Sequence, residues 1–199
     1  FKSPGTGKTS CIIECIAQIL TFKPESKIFV TAQSNSACDE VGERLLQYFD
    51  ISQIYRYYTP SILMRSKSEI NKNLVPSSNI RNPKKSDELP TEEELKHFQI
   101  VICTLTSSSK FERANLAKHF KYIFIDECAA TTEPEALISI LGLGCLSREV
   151  FSNVVLIGDH KQLPPVIASE FAKNLGLSVS LMERMMETER YKPNPDYDN

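Results

Sequence analysis

Three short strings in this chain bring together residues able to handle a phosphate, a divalent cation and an activated water. The first is Pro4-Gly5-Thr6-Gly7-Lys8-Thr9, the second half of a G-x-x-x-x-G-K-[ST] loop. Glycines let a backbone curl until successive N–H groups point inward at phosphate oxygens, with the positive end of the following helix behind them. In that arrangement Pro4 to Ser10 line a nucleotide, Lys8 reaches the β- and γ-phosphates of ATP, and the Thr9 hydroxyl ligates Mg²⁺. One position departs from the pattern. Its first glycine should fall at position 2, where Lys2 stands.

The second string is Ile123-Phe124-Ile125-Asp126-Glu127, an apolar run ending in two adjacent acids. A carboxylate buried at such a strand end is costly unless it meets a cation. Asp126 can hold Mg²⁺ there, and Glu127 can polarise an attacking water. The third string, Val154-Val155-Leu156-Ile157-Gly158-Asp159-His160-Lys161-Gln162-Leu163-Pro164-Pro165, again sends polar groups out of an apolar run. Gln162 is neutral, long and able both to donate and to accept, which suits sensing a γ-phosphate and its water. The residue types thus assign catalytic work to Lys8, Glu127 and Gln162, and the metal to Thr9 and Asp126.

These groups can meet only if regular elements carry them to a common edge. Apolar runs at 27–32, 99–104, 122–126 and 153–157 read as buried strands, with a fifth possible at 53–57. Helical spacing recurs over 10–20 and 36–49, near 108–119, and from 133 into 141. Short apolar strands alternating with helices predict an α/β fold with a parallel sheet covered on both faces. From about Thr59 to Lys96 the character changes. Ile62–Ile70 suits a short helix, Pro76 to Pro90 is polar and loop-like, and Thr91–Leu95 offers a capped helical turn, together a surface insertion.

Composition limits the partners. The chain has 199 residues, with 23 Lys+Arg against 25 Asp+Glu and a formal net charge of -2, so any nucleic-acid site is a local groove rather than a basic surface. The six cysteines include no C-x-x-C pair, which argues against zinc and for free thiols in a reducing compartment. No apolar run approaches the ~18 residues of a membrane span, so cytosol or nucleus is expected, with a cytoplasmic location taken as the reading. Tyr55, Tyr57 and Tyr58 can stack bases or serve as core. Small hydroxyl and amide groups at Ser34-Asn35 and Thr104–Ser107 can bond phosphate and sugar without reading bases, or cap helices.

Taken in order, the three strings resemble motifs I, II and III of superfamily 1 helicases. Ala32-Gln33-Ser34-Asn35-Ser36-Ala37-Cys38-Asp39 is similar to motif Ia of the Upf1-like branch, with Gln33 in its usual Pro place. Thr104-Leu105-Thr106-Ser107 sits where that branch has its next nucleic-acid-contacting motif. Ser180-Leu181-Met182-Glu183-Arg184-Met185 looks like the Ser-Leu-x-Glu-Arg-Leu stretch after motif III. Glu133-Pro134-Glu135-Ala136 and the Tyr191-Lys192-Pro193 tail resemble the Armitage-type RNA helicases of small-RNA silencing. The resemblance runs from Pro4 to about Tyr191.

The resemblance implies a RecA-like P-loop NTPase domain that is truncated at its N-terminus and carries a small inserted subdomain. Residues 1–58 and 98–185 would form its two parts, 59–97 the insertion and 186–199 a linker toward a second RecA-like domain. It further implies ATP- and Mg²⁺-dependent 5′-to-3′ movement on single-stranded RNA rather than DNA, and silencing proteins as partners. RNA contacts would fall at Ser34, Asn35, Thr104, Thr106 and Pro165. On this reading a strand leading into Pro4 is missing, which would expose Ile12, Ile16 and Ile19 and leave residues 1–199 inactive on their own. Two other readings stay open: a non-motor P-loop NTPase, and a degenerate helicase-like scaffold that binds RNA, supported by Lys2 alone.

Overall fold

The computed structural model describes residues 7–59, 62, 70–82, 86, 88–112, 116, 119–144, 152–159 and 161–191. Five strands, β1 (Ile28–Ala32), β2 (Ile54–Arg56), β3 (Ile100–Thr104), β4 (Tyr122–Ile125) and β5 (Asn153–Leu156), form one sheet in the order β2-β3-β1-β4-β5. Every pairing is parallel, with Ala32 opposite Thr104 and Thr31 opposite Ile125. The strands are runs of Ile, Val and aromatic residues, whose stiff or bulky side chains fit a pleated surface buried on both sides.

Alternation along each strand divides the core in two. Ile28, Val30, Ile100, Ile102 and Phe124 pack against α1 (Lys8–Phe22) and α2 (Asn35–Leu45) through Ile12, Ile16, Val41 and Leu45. Phe29, Val101, Cys103, Ile123 and Ile125 face the opposite way, against Phe111 of α4 (Leu105–Glu112) and Ala136 and Leu143 of α5 (Glu133–Leu143). The centre of that second layer is aromatic: the Phe29 ring lies 5.5 Å from Phe111, edge-on, and 4.9 Å from Phe120. Helix α5 starts where Thr132 and Glu135 cap each other reciprocally. The short α3 (Glu92–His97) starts the same way from Thr91 and Glu94, and its Leu95 reaches the aromatic layer. Among the described residues no helix is long and apolar enough to cross a membrane.

Several expectations shift. Ile12 and Ile16 are 1% and 0% exposed rather than uncovered, because they share one core with residues of β1, β4 and α2; Ile19 is half-buried. Among the described residues the outer edge of β5 has no strand partner, and its Val154, Val155 and Leu156 are half-buried. Helix α4 begins three residues before the expected Ser108, directly on the end of β3. The stretch read as a polar loop buries Ser77, Ser78, Asn79 and Ile80 beside β2, with Ser78 bridging Arg56 in parallel register. A helix over 62–70 lies outside the described residues apart from its two ends.

Candidate functional site

Because all five strands run the same way, their carboxyl ends share one edge of the sheet, where open α/β sheets bind ligands. β4 delivers Asp126 and Glu127, β5 delivers Gly158 and Asp159, β1 leads into Ser34 and Asn35, and β3 ends on Thr104. The sheet thereby gathers the residues singled out by type into two neighbouring groups.

The first group is acidic. Asp126 is 4% exposed, and its Oδ1 accepts the Glu127 N–H at 2.9 Å. Burial pushes its carboxyl up to about 6; the bond from the Glu127 amide opposes this, the Glu127 charge adds to it and the Lys8 ammonium opposes it. A desolvated carboxylate within the field of a lysine is suited to meet a cation. Glu127 stands exposed with φ 55° and ψ 31°, a left-handed conformation that is uncommon outside glycine and concentrates at functional sites. Opposite them, α1 opens from Gly7 at φ 79° with no side-chain cap, leaving the first backbone N–H groups for another acceptor. Lys8 and Thr9 are half-buried at that helix start, while Ser10 is exposed and accepts from Arg44 Nη1 at 3.1 Å. Pro4, Gly5 and Thr6, like Lys2, lie outside the described residues.

The loop after β5 is locked onto this group. The Cys128 N–H donates to the Ile157 carbonyl at 2.8 Å, and a Cβ added at Gly158 would stand 2.8 Å from the Ala129 nitrogen. Only glycine allows so close an approach. Gln162 is exposed, and its Nε2 donates to Asp159 Oδ2 at 2.9 Å, so in this structure it turns back on its own loop. Pro165 is buried between the exposed Leu163 and Val166. Arg184 on α6 (Leu181–Met186) grips Glu133 through two bonds of 2.6 and 2.7 Å, tying the chain after this loop to the start of α5.

The second group is neutral and mostly satisfied. Ser34 caps α2, its Oγ accepting the Ala37 N–H at 3.1 Å. Thr104 is buried with its hydroxyl 2.9 Å from that of Ser107, and Thr106 is exposed. Asn35 is half-buried, and its Oδ1 accepts from Arg56 Nη2 at 2.9 Å. Sequence reasoning missed Arg56 and Asp39. Arg56 is 0% exposed; its Nε donates to Asp39 at 2.7 Å, its Nη1 to the Tyr57 carbonyl, and its guanidinium lies 4.1 Å from the Tyr58 ring centroid. The available signal was an arginine inside the apolar run Ile54-Tyr55-Arg56-Tyr57-Tyr58, since a charge there demands buried partners. The three tyrosines themselves are core.

A parallel sheet ending in a lysine-facing acid pair, with a positive helix start beside it, defines an α/β nucleotide-binding domain of the RecA-like P-loop type. The family can be named more closely. A family model described as an AAA domain matches residues 2–81 and 64–170, and the chain belongs to that helicase-containing family. It is 40% identical over 204 residues to the helicase mov-10-B.1 of Danio rerio, covering 100% of this chain and 19% of that protein. To the RNA helicase armi of Drosophila melanogaster it is 30% identical over 212 residues, covering 96% of this chain and 17% of the other. It thus spans under a fifth of these relatives. The UvsW helicase of bacteriophage T4 aligns with a TM-score of 0.46 and 14% identity, over 75% of this chain and 42% of that one.

Proposed function

We propose that this chain is the nucleotide-binding part of an ATP-dependent helicase that moves 5′-to-3′ on single-stranded RNA. The observation carrying the reading is the pairing at the end of β4 of a buried Asp126, its carboxyl raised to about 6 within the field of Lys8, with an exposed Glu127. Lys8 and the open helix start neutralise phosphate charge. Thr9 and Asp126 hold Mg²⁺, a fit supported by the hydroxyl and desolvated carboxylate on offer; the ion supplies charge neutralisation across the phosphates. Glu127 orients and polarises the attacking water, and Gln162, released from Asp159, faces the terminal phosphate. Ser34, Asn35, Thr104, Thr106 and Pro165 track the RNA backbone.

Residues 1–58 and 98–185 then act as two parts of one RecA-like unit, 59–97 as an insertion beside the RNA path and 186–199 as a linker. The names of the relatives support RNA as the strand bound, and the Armitage-type resemblance supports work with silencing proteins in the cytoplasm. The test is phosphate release by the protein carrying these residues, with and without single-stranded RNA. Turnover should rise with RNA, and Glu127→Gln should cut it about 10³-fold while ATP still binds. Equal turnover in Glu127→Gln would remove the assigned role, and turnover indifferent to RNA would favour a non-motor NTPase. Residues 1–199 alone should show no RNA-stimulated turnover.

A further inference from the structure

Arg56 ends β2, directly before the chain enters the 59–97 region, yet its side chain works on the first turns of α2. It gives Nε to Asp39 at 2.7 Å and Nη2 to both oxygens of Asn35, the carbonyl at 3.3 Å and Oδ1 at 2.9 Å. Through Oδ1 it sets the flip of the Asn35 carboxamide: the acceptor is consumed inward, so the Nδ2 donors are turned away from the guanidinium. On its other side Arg56 lies over the Tyr58 ring, and the Tyr58 backbone is clasped by Asn79, which receives its N–H at 2.7 Å and donates to its carbonyl at 2.8 Å. One buried guanidinium therefore joins the start of α2 to the 70–82 stretch packed along β2. An apolar strand end could have been closed with a methionine or leucine at lower desolvation cost.

We propose that Arg56 is a positioning residue for RNA, holding the Asn35 amide with its Nδ2 donors presented to a backbone phosphate and fixing the start of α2 to the 70–82 stretch. The inference rests on the reading of Asn35 as an RNA contact. A lysine could still neutralise Asp39 but could not span Asp39 and Asn35 with one planar fork.

The test uses the helicase carrying these residues and an oligouridine strand, and reads the RNA concentration giving half-maximal ATPase stimulation. Arg56→Lys should raise that concentration about tenfold, the scale of one hydrogen bond to a charged group, while turnover at saturating RNA stays within about twofold. Asn35→Ala should cause a similar shift, and the double variant should be no worse than Asn35→Ala alone, because no amide is left to orient. Asn35→Asp leaves Arg56 untouched and keeps its acceptor, so it tests the donors even if Arg56→Lys fails to fold; it should bind as weakly as Asn35→Ala. Parent-like behaviour of Arg56→Lys or Asn35→Asp, or full additivity in the double variant, would overturn the proposal while leaving the RNA reading intact. Parent-like behaviour of Asn35→Ala would instead remove Asn35 from the RNA path and the proposal with it.

Discussion

The two halves of the sheet's working edge are built on opposite principles. At β4 and β5 the polar groups are desolvated, strained or paired within their own loop: Asp126 is desolvated with its carboxyl raised, Glu127 is exposed in a left-handed conformation, and Gln162 bonds its neighbour Asp159. At β1, β2 and β3 they are already matched within the protein: Ser34 with a helix amide, Thr104 with Ser107, and Asp39 and Asn35 with Arg56. A site that must change charge or move a proton keeps an electrostatic deficit for its ligand to fill. A site that must hold a featureless backbone in place needs rigid groups instead, and rigidity comes from internal hydrogen bonds.

The sharpest way to break this contrast is at Lys8. If the acidic half is a deficit matched by nucleotide, Lys8→Ala should weaken ATP binding by about 10²–10³-fold, as expected when a buried charge-assisted contact to phosphate is lost. Titration with a fluorescent ATP analogue checks this, and an affinity within twofold of the parent would end the assignment.

Next in size is a stability effect of opposite sign to most substitutions. Burial raises the folded-state carboxyl of Asp126 to about 6 from an unfolded value near 4. The proton is thus held more tightly when folded: the stabilisation is full below pH ~4 and is lost as pH rises through about 6. Asp126→Asn, which mimics the neutral form, should be more stable than the parent above pH 6 by up to about 3 kcal/mol in the absence of nucleotide and Mg²⁺, with the gap closing toward pH 4. Denaturant titrations across that range read the gap directly, and a pH-independent difference would show that Asp126 is not desolvated in solution.

On the neutral half, Ser34→Ala should cost about 1 kcal/mol of stability, the ordinary loss of a helix cap. A variant as stable as the parent but weaker for RNA would mean that the Ser34 hydroxyl serves the ligand rather than the helix. The smallest change concerns Gln162→Ala, for which RNA affinity should stay within about twofold while RNA ceases to stimulate ATP turnover. Equal stimulation in variant and parent would show that Gln162 stays bound to Asp159 throughout the cycle.

The acidic half was legible because its chemistry is local in sequence. A continuous apolar run followed by Asp126-Glu127 specifies at once a strand, its end and the residues left there. The strand limits found, such as Ile100–Thr104 and Tyr122–Ile125, fall within a residue of those the runs indicate. The start of α4 was less legible because Leu105-Thr106-Ser107-Ser108 carries little helix propensity and is drawn into helix by packing on β3. The Arg56 network was opaque for a different reason. Asp39 lies on α2 and Arg56 on β2, and nothing near either residue states that the two elements meet. Likewise the burial of Ser77 to Ile80 depends on pairing with β2, which a polar composition alone conceals.

The outer edge of β5 carries a practical consequence. Val154, Val155 and Leu156 are half-buried on a strand whose outer N–H and C=O groups find no strand partner among the described residues. Such an edge is a template on which any extended apolar segment can add itself, including the same strand of another molecule. Neither a proline nor a lysine stands within Asn153–Leu156 to blunt it. A segment laid over this edge would act as a guard against self-association. Preparations of residues 1–199 should be handled as aggregation-prone, with a charge introduced at Val155 as the first remedy for poor solubility.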